Sequence, residues 1–352
     1  MSAFADQAQT KGGAPLPTPD VPVLLRLQHY FQRHVPSVHT GSARASVALI
    51  LRVTAPQAEF DGIPDGAFMS SRLAAAARAD DVQILFIKRA VRETDAWSGN
   101  VAFPGGQQEA GESDWDTSVR ETAEEVGLDL RSGPFHYLGR LNDSYAYNPR
   151  KKRTLVLSRF VFVQTCKITP PLMLCADEVA AVRWAPLSLF APARMTTRSV
   201  SLPGAKFSLL RSMPAWLRTA LGFHTVYFPG IELPYSGAGT AALPPLLTKT
   251  TVTSMDRPDL QFQLWGITLA SLCDCLAAAG LPRVSRPPFT GDGLIAHATV
   301  MSLHGMLEVW EVMTGHAPVY RLFSMRVALL MTFLLVCIAT SASLVVCLLN
   351  VI

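Results

Sequence analysis

The sequence has few cysteines and little charge. None of its six cysteines stands in a pair separated by two residues, the spacing that zinc and redox sites use. Charged residues make up only 16% of the chain, and the formal net charge of +4 is spread along it rather than gathered in one run. We therefore expect reduced structural thiols, and we do not expect nucleic acid to be the main partner.

The N-terminal segment lacks the apolar run of a secretory signal. Residues 1–20 are rich in Ala, Pro, Gly and Gln, a composition typical of a flexible tail. The sequence also lacks internal repeats and any evident Ser-His-Asp arrangement. We expect the folded domain to begin after this tail and to lie in the cytosol.

Apolar runs and helical spacing alternate along residues 21–280. Helical spacing occurs between Val21 and His34, and one clear helical segment separates two pairs of β-branched runs. The predicted strands are 46–53, 82–88, 135–138 and 155–163. Two stretches rich in Pro, Ser and Gly, 191–222 and 236–259, are predicted to be irregular. The alternation predicts a single α/β domain over 21–280.

The helical segment is rich in acidic residues, and its two ends are marked in the sequence. Ser113 or Asp114 can cap a helix that begins near Trp115, and Gly127 is suited to end it in the left-handed conformation. The helix is therefore predicted from its ends as well as from its interior.

Three glutamates of this helix share one face. Glu121, Glu124 and Glu125 stand at i, i+3 and i+4, so their carboxylates converge and repel one another. Oxygen ligands gathered in this way suit Mg²⁺ or Mn²⁺, which would neutralise them. Arg120 is predicted to orient them, with Glu112 as its partner. The alternative interpretation is a solvated acidic surface.

The segment GQQEAGESDWDTSVRETAEEVGL, residues 106–128, resembles the Nudix box at every fixed position. Thr122 alone departs from the pattern, since an aliphatic residue is usual there. The resemblance implies a mixed β-sheet in an α/β/α sandwich and a metal-dependent hydrolase that cleaves a diphosphate bond.

The resemblance also implies roles for individual residues. Glu124 and Glu125 would be the core metal ligands, Glu121 a further ligand, and the carbonyl group of Gly105 an additional one. The general base of such proteins comes either from the box or from a later loop, so Glu125 and Glu178 are the candidates. Glu178 lies in DEVAAVRWAPL, residues 177–187, and the alternative for it is an ordinary surface acid.

Sequences on both sides of the box resemble the coenzyme A pyrophosphatase-like subfamily. The resemblance rests on the segments WSGNVAFPGG (97–106), ILFIKRA (84–90), YFPGIEL (227–233) and LWGIT (264–268). The spacing between Arg89 and Gly99 is one residue longer than the subfamily pattern, and Thr94 stands where a second arginine is usual. Coenzyme A or an acyl-coenzyme A is the substrate that this resemblance implies.

Basic residues near the box are candidates for contact with substrate phosphates. Arg89 ends a predicted strand, whereas Arg150 and Lys152 belong to the run RKKR in a predicted loop between strands. The alternative for the run is a solvated loop.

The C-terminal segment 327–352 has no charged residue and is rich in Leu, Val and Ile. As a helix it would extend about 39 Å, enough to span a hydrocarbon core of about 30 Å. We therefore predict a single transmembrane tail anchor, with the preceding domain on the cytosolic side. Residues 281–326 are predicted to be a linker with an amphipathic helix.

Together these features predict a membrane-anchored Nudix hydrolase of a nucleoside diphosphate derivative that uses Mg²⁺ or Mn²⁺. Coenzyme A is the leading substrate, and ADP-ribose or a dinucleotide is the alternative. A non-catalytic membrane-bound scaffold that binds a nucleotide is the alternative of a different class. The endoplasmic reticulum, the outer mitochondrial membrane and the peroxisome are not distinguished.

Overall fold

A computed structural model describes residues 22–41, 43–61, 63–64, 66–92, 98–148, 153–192, 194–197, 199–203, 208–233, 262–282 and 290–291. The helices are α1 (Val23–Arg33), α2 (Gln57–Phe60), α3 (Arg72–Ala76), α4 (Asp114–Val126), α5 (Ser208–Arg211), α6 (Ala215–Ala220) and α7 (Gly266–Ala278). The strands are β1 (Arg44–Val53), β2 (Val82–Arg89), β3 (Val101–Ala102), β4 (Gly105–Gln107), β5 (Phe135–Asn148), β6 (Arg153–Gln164), β7 (Val179–Pro186), β8 (Thr196–Thr197), β9 (Val200–Pro203), β10 (Thr225–Phe228), β11 (Gly230–Leu233), β12 (Phe262–Trp265) and β13 (Thr290–Gly291).

The main sheet is mixed, with β1 at its centre. Its strands follow the order β3-β2-β1-β6-β5, while β7 pairs with β2 and β4 pairs with β1. β1 runs parallel to β6 and antiparallel to its other partners. Its first residues pair with β4 and its last with β2, so β1 changes partner on one side along its length. The predicted mixed sheet is confirmed.

Helices cover both faces of this sheet. Ala48 and Ile50 of β1 pack in a core with α4, whereas Leu49 and Leu51 pack in the other core with α1 and α7. The alternation follows from the two-residue period of a strand, in which successive side chains point to opposite faces. The result is the three-layer α/β/α arrangement that the sequence predicted.

The predicted strands of the main sheet are all present, but their lengths differ. β5 runs to Asn148 instead of ending at Leu138, because its second half, which has no continuous apolar run, pairs with β6. The stretch 191–222, predicted to be irregular, contains β8, β9, α5 and α6. β8 pairs with β11 and β9 with β10, so these short strands depend on partners that local patterning does not reveal.

Several predictions concern residues outside those that the structure describes. They include the tail 1–20, the stretch 236–259, most of the linker 281–326 and the anchor 327–352. Within the described part of the chain, no helix combines the length and the apolar character that a membrane crossing requires. The anchor and the domain boundaries therefore remain predictions.

Candidate active site

Helix α4 begins and ends as its sequence predicts. The side chain of Ser113 accepts a hydrogen bond from the Asp116 backbone N–H at 3.1 Å, and the helix starts at Asp114, one residue before Trp115. Gly127 ends it in the left-handed conformation, with φ of 75°. Both ends satisfy backbone groups that would otherwise lack partners. The glutamates of α4 are therefore carried by a well-capped helix.

Two glycines bring a turn of backbone against these glutamates. The N–H of Gly105 donates to Oε2 of Glu125 at 2.8 Å, and Gly105 has φ of 148°. A Cβ atom on Gly105 would lie 2.1 Å from the backbone oxygen of Ser46, and one on Gly106 would lie 2.4 Å from the carboxylate of Glu121. At Gly105 the backbone of β1 excludes a side chain, whereas at Gly106 a side chain would displace the carboxylate of Glu121.

Burial and mutual repulsion disfavour charge on the two inward-facing glutamates. Burial is the main cause that raises the pKa of Glu125 to about 8, and the charges of Glu121 and Glu178 raise it further. The N–H of Gly105 and the charge of Arg89 act in the opposite direction. Burial also raises the pKa of Glu121. The neutral form of Glu125 is therefore favoured until a cation is present to compensate, and burial shifts the pKa of Glu121 in the same direction.

Glu124 lies on the flank of this pair. Its side chain is 56% exposed and accepts a hydrogen bond from Nη1 of Arg120 at 2.9 Å. Arg120 also donates through Nε to Glu112 at 2.6 Å and lies 3.1 Å from Glu121. The predicted pairing of Arg120 with Glu112 is thus present, and Arg120 connects the loop before α4 to the glutamates of the helix.

Glu178 approaches the site from the start of β7. Its backbone oxygen accepts a hydrogen bond from the N–H of Ala90 at 2.8 Å, which places it at the end of β2. Its side chain is 40% exposed and forms an ion pair with Arg92 at 3.3 Å. It has the exposure of a surface acid, yet its charge raises the pKa values of Glu121 and Glu125.

The structure describes only one of the three basic residues that were predicted to contact substrate phosphates. The backbone N–H of Arg89 donates to the carbonyl of Asn100 at 3.0 Å, and the charge of Arg89 acts on Glu125. Arg150 and Lys152 lie outside the described residues. Of the three phosphate-contact candidates, the structure thus brings Arg89 to the site.

The donors at this site fit a hard divalent cation. Glu121 and Glu125 present carboxylate oxygens, and a cation there would offset the burial and repulsion that disfavour their ionised forms. Across the described ranges, no group of three or more His, Cys, Asp or Glu side chains is already arranged to hold a metal ion. Glu124 would join the ligands by turning away from Arg120.

Thr122 shows how the box tolerates a polar residue where an aliphatic one is usual. It is fully buried, and its hydroxyl donates to the backbone carbonyl of Ser118 at 2.7 Å. A buried hydroxyl that is hydrogen-bonded within its own helix avoids the cost of an unsatisfied polar group. The departure at Thr122 thus leaves the glutamates of α4 undisturbed.

A buried group of charges at the start of α4 was not predicted. Asp114 accepts from Nε of Arg44 at 2.6 Å and from Nη2 of Arg140 at 2.8 Å. Asp143 contacts both arginines from the other side, at 3.0 and 2.6 Å, and the hydroxyl of Ser158 accepts from both. We call these five residues the charge clamp. Sequence reasoning identified Asp114 only as a possible cap, because its partners are distant along the chain.

Substitution Gly106→Ala is expected to weaken metal binding with little loss of stability. A Cβ atom would displace the Glu121 carboxylate, the flexible end of a side chain, and no positive φ adds backbone strain. We expect Mn²⁺ affinity to fall about 10-fold, while the free energy of unfolding changes by less than about 1 kcal/mol. Mn²⁺ titration and urea unfolding measure the two effects. Unchanged affinity would show that the position of Glu121 is unimportant for the metal.

Substitution Glu112→Gln is expected to destabilise the protein in a pH-dependent manner. Glu112 accepts hydrogen bonds from Arg120, from the N–H of Glu109 and from the hydroxyl of Thr117, and the Arg120 bond is the main cause that lowers its pKa to about 2. At pH 7 we expect a loss of about 1–3 kcal/mol.

The pKa of Glu112 is lower in the folded protein than in the unfolded chain, where it is 4.5. The ionised carboxylate therefore stabilises the fold above pH 4.5, and this contribution is lost as the pH falls towards 2. The difference between wild type and Glu112→Gln should therefore shrink over that interval in urea unfolding. Glu109→Gln, in the same loop, is the control because its side chain is exposed. A difference that stays constant down to pH 2 would contradict the assignment.

Comparison with known proteins identifies the domain. Residues 70–202 match the family model of the NUDIX domain, so the chain contains a Nudix domain. An uncharacterized protein of Schizosaccharomyces pombe is 34% identical over 168 residues, which are 46% of this chain and 50% of that protein. The chain thus spans about half the length of the curated relative that it matches.

Solved structures with similarity to this chain include three with Nudix or hydrolase names. An Ap4A hydrolase binary complex from C. elegans has 14% identity and a TM-score of 0.29 over 50% of this chain and 98% of its own. The NUDIX domain of Shewanella oneidensis NrtR with ADP ribose has 15% identity and a TM-score of 0.28 over 46% and 82%. A MutT/nudix family protein from Enterococcus faecalis has 19% identity and a TM-score of 0.27 over 45% and 48%. These low scores carry no information about the substrate of this chain.

Proposed function

We propose that this Nudix domain hydrolyses the diphosphate bond of a nucleoside diphosphate derivative with the help of Mg²⁺ or Mn²⁺. The observation that carries the proposal is the buried carboxylate of Glu125, held against the N–H of Gly105 and beside Glu121. A fold gains nothing from placing the buried Glu125 beside the half-buried, like-charged Glu121 unless a cation joins them. The box sequence and the match to the NUDIX domain support the same function.

The residues of α4 would divide the work of binding. Glu121, Glu124 and Glu125 would hold the cation, with the carbonyl of Gly105 as an additional ligand. The cation would polarise phosphoryl oxygens and make a bound water more acidic. Arg120 would orient Glu121 through the contact described above, and Glu124 would exchange its hydrogen bond with Arg120 for the cation. Glu178 or Glu125 would take the proton of the attacking water.

We propose coenzyme A or an acyl-coenzyme A as the substrate, with 3′,5′-ADP and a phosphopantetheine as products. The support is the resemblance of the FPGG turn and of the flanking strands to the coenzyme A pyrophosphatase-like subfamily. In the structure, the turn places Gly105 and Gly106 against the glutamates. Arg89, Arg150 and Lys152 would contact substrate phosphates.

A substrate comparison tests the function. The full chain, purified in mild detergent, is incubated with coenzyme A, ADP-ribose, NADH or a dinucleoside polyphosphate, each with Mg²⁺ or Mn²⁺ and with chelator. Metal-dependent release of 3′,5′-ADP supports the proposal, and preference for another substrate keeps the chemistry but replaces the substrate. A folded, metal-binding chain that turns over none of them favours the non-catalytic scaffold. Turnover that is unchanged in Glu124→Gln removes Glu124 from the ligands.

We also propose that residues 327–352 anchor the protein in a membrane, with the Nudix domain in the cytosol. The support is the uncharged apolar composition of this segment. Cells that express the tagged chain with and without 327–352 are fractionated, and only the complete chain should sediment with membranes after an alkaline wash. A truncated chain that still sediments would show that the anchor lies elsewhere.

A further inference from the structure

The charge clamp connects α4 to three strands of the main sheet, β1, β5 and, through Ser158, β6. Asp114 stands at the first residue of α4, Arg44 at the first residue of β1, and Arg140 and Asp143 lie in β5. The side chain of Asp143 is fully buried, and those of Arg44, Asp114 and Arg140 are 14%, 12% and 16% exposed. Charges so little exposed are tolerated only when they are paired, as they are here.

The arginines of the clamp are engaged within the protein. Arg44 donates to Asp114 through both Nε and Nη2 and to the carbonyl of His39 through Nη1 at 2.5 Å. Arg140 donates through Nη2 to Asp114, Asp143 and Ser158. Two arginines that are satisfied by buried carboxylates are poorly placed to bind a substrate phosphate. Their contribution is to the position of α4.

One stretch of β1 contacts both the start of α4 and strand β4, which carries Gly105 and Gly106. Arg44 binds the start of α4, while the next residues, Ala45 to Val47, pair with Gln107 to Gly105 of β4. Glu125 lies eleven positions after Asp114, about 16 Å along the helix. A small tilt or slide at Asp114 therefore changes the contacts of Glu121 and Glu125 with the glycine turn. Those contacts leave little room, as the Cβ distances at Gly105 and Gly106 show.

We infer that Asp114 is a positioning residue that, through Arg44 and Arg140, sets α4 at the distance from β4 at which Glu121 and Glu125 bind a divalent cation together. The inference rests on the proposed function, because it assigns metal binding to these glutamates. To the residues that determine metal binding, the inference adds one that contacts neither the metal nor the substrate. Asp114→Asn keeps the shape of the side chain and removes the charge that the two arginines require.

The test compares this variant with a matched one on the opposite face of the sheet. Arg159 follows Ser158 in β6, points to the other face, and pairs with Asp274 of α7 at 2.6 Å. The side chain of Arg159 is 3% exposed, so Asp274→Asn also deprives a buried arginine of its carboxylate. The Arg159–Asp274 pair joins β6 to α7 and includes no residue of α4, so we expect that substitution to leave the contacts of α4 unchanged.

Mn²⁺ binding to the full chain is titrated by electron paramagnetic resonance, and urea unfolding is measured in parallel. We expect Asp114→Asn to weaken Mn²⁺ binding about 10-fold and Asp274→Asn to leave it unchanged, although both lower stability. The KM of Asp114→Asn for the diphosphate substrate at saturating Mn²⁺ should equal that of wild type. Should Asp114→Asn not fold, Ser158→Ala removes one acceptor shared by Arg44 and Arg140 and is expected to weaken Mn²⁺ binding about threefold.

The inference is overturned if the folded Asp114→Asn variant, or Ser158→Ala in its place, binds Mn²⁺ as wild type does. It is also overturned if Asp274→Asn weakens binding equally, since the effect would then be general destabilisation, or if wild type binds no Mn²⁺. A wild type that binds Mn²⁺ but hydrolyses no diphosphate refutes the proposed function and leaves the positioning role of Asp114 standing.

Discussion

Glu125→Gln is expected to lower metal-dependent turnover at least about 100-fold. Glu125 is the most deeply buried of the box glutamates and the one that contacts the glycine turn. An amide can still accept the hydrogen bond from Gly105, but it brings no negative charge to the cation. The loss is measured as turnover of the substrate that the assay with coenzyme A, ADP-ribose, NADH and a dinucleoside polyphosphate identifies, over a range of Mg²⁺ concentrations. Glu109→Gln, an exposed residue of the loop before α4, is the control.

The same substitution is expected to preserve the fold. Without metal at pH 7, Glu125 is mostly protonated because burial raises its pKa to about 8, so the neutral amide replaces a neutral acid. In wild type, the unfolded chain ionises from 4.5 upwards and the folded chain only near 8. Stability therefore decreases as pH rises between these values. Urea unfolding in chelator should show this decrease in wild type and a smaller one in Glu125→Gln. Wild-type turnover in the variant would exclude Glu125 as a ligand.

Gly105→Ala is expected to destabilise the protein by about 3 kcal/mol or more and to abolish Mn²⁺ binding. The added Cβ would lie 2.1 Å from the backbone oxygen of Ser46 and 2.7 Å from the Cα of Val47, atoms of β1 that cannot move aside cheaply. The φ of 148° adds strain for a residue with a side chain. Either β4 separates from β1 or the N–H of Gly105 moves away from Glu125.

Gly111→Ala is the matched control for this prediction. Gly111 lies in the loop between β4 and α4 with φ of 85°, but a Cβ atom there would meet nothing within 4 Å. Gly111→Ala should lower the free energy of unfolding only by the strain of the left-handed conformation, about 1–2 kcal/mol, and leave Mn²⁺ binding intact. Urea unfolding and Mn²⁺ titration of both variants separate close approach from strain. Equal losses in the two would show that φ alone requires glycine at Gly105.

Helix α4 and its end at Gly127 were predictable because their causes are local. The cap at Ser113, the left-handed end at Gly127 and the spacing of the glutamates all depend on residues within one or two helical turns. Four strands of the main sheet, β1, β2, β5 and β6, were recognised for a similar reason, since β-branched apolar runs favour extended backbone. The second half of β5 has no such run, and it was missed.

Other features depend on residues that lie far apart along the chain. Arg44 and Asp114 are separated by 70 positions, and nothing near either residue indicates its partner. The approach of Glu178 to Glu125 follows from the pairing of β7 with β2. The spacing of Glu124 placed it with Glu121 and Glu125, but its contact with Arg120 draws it to the flank.

The glutamates of α4 and their helix thus follow from the amino-acid order alone, because capping and helical periodicity act between neighbouring residues. Tertiary packing alone decided the depth of Glu125, the approach of Glu178 and the charge clamp at Asp114. Burial and electrostatic coupling depend on distance in space, and distant segments come together only when the sheet pairs and the helices pack on its two faces.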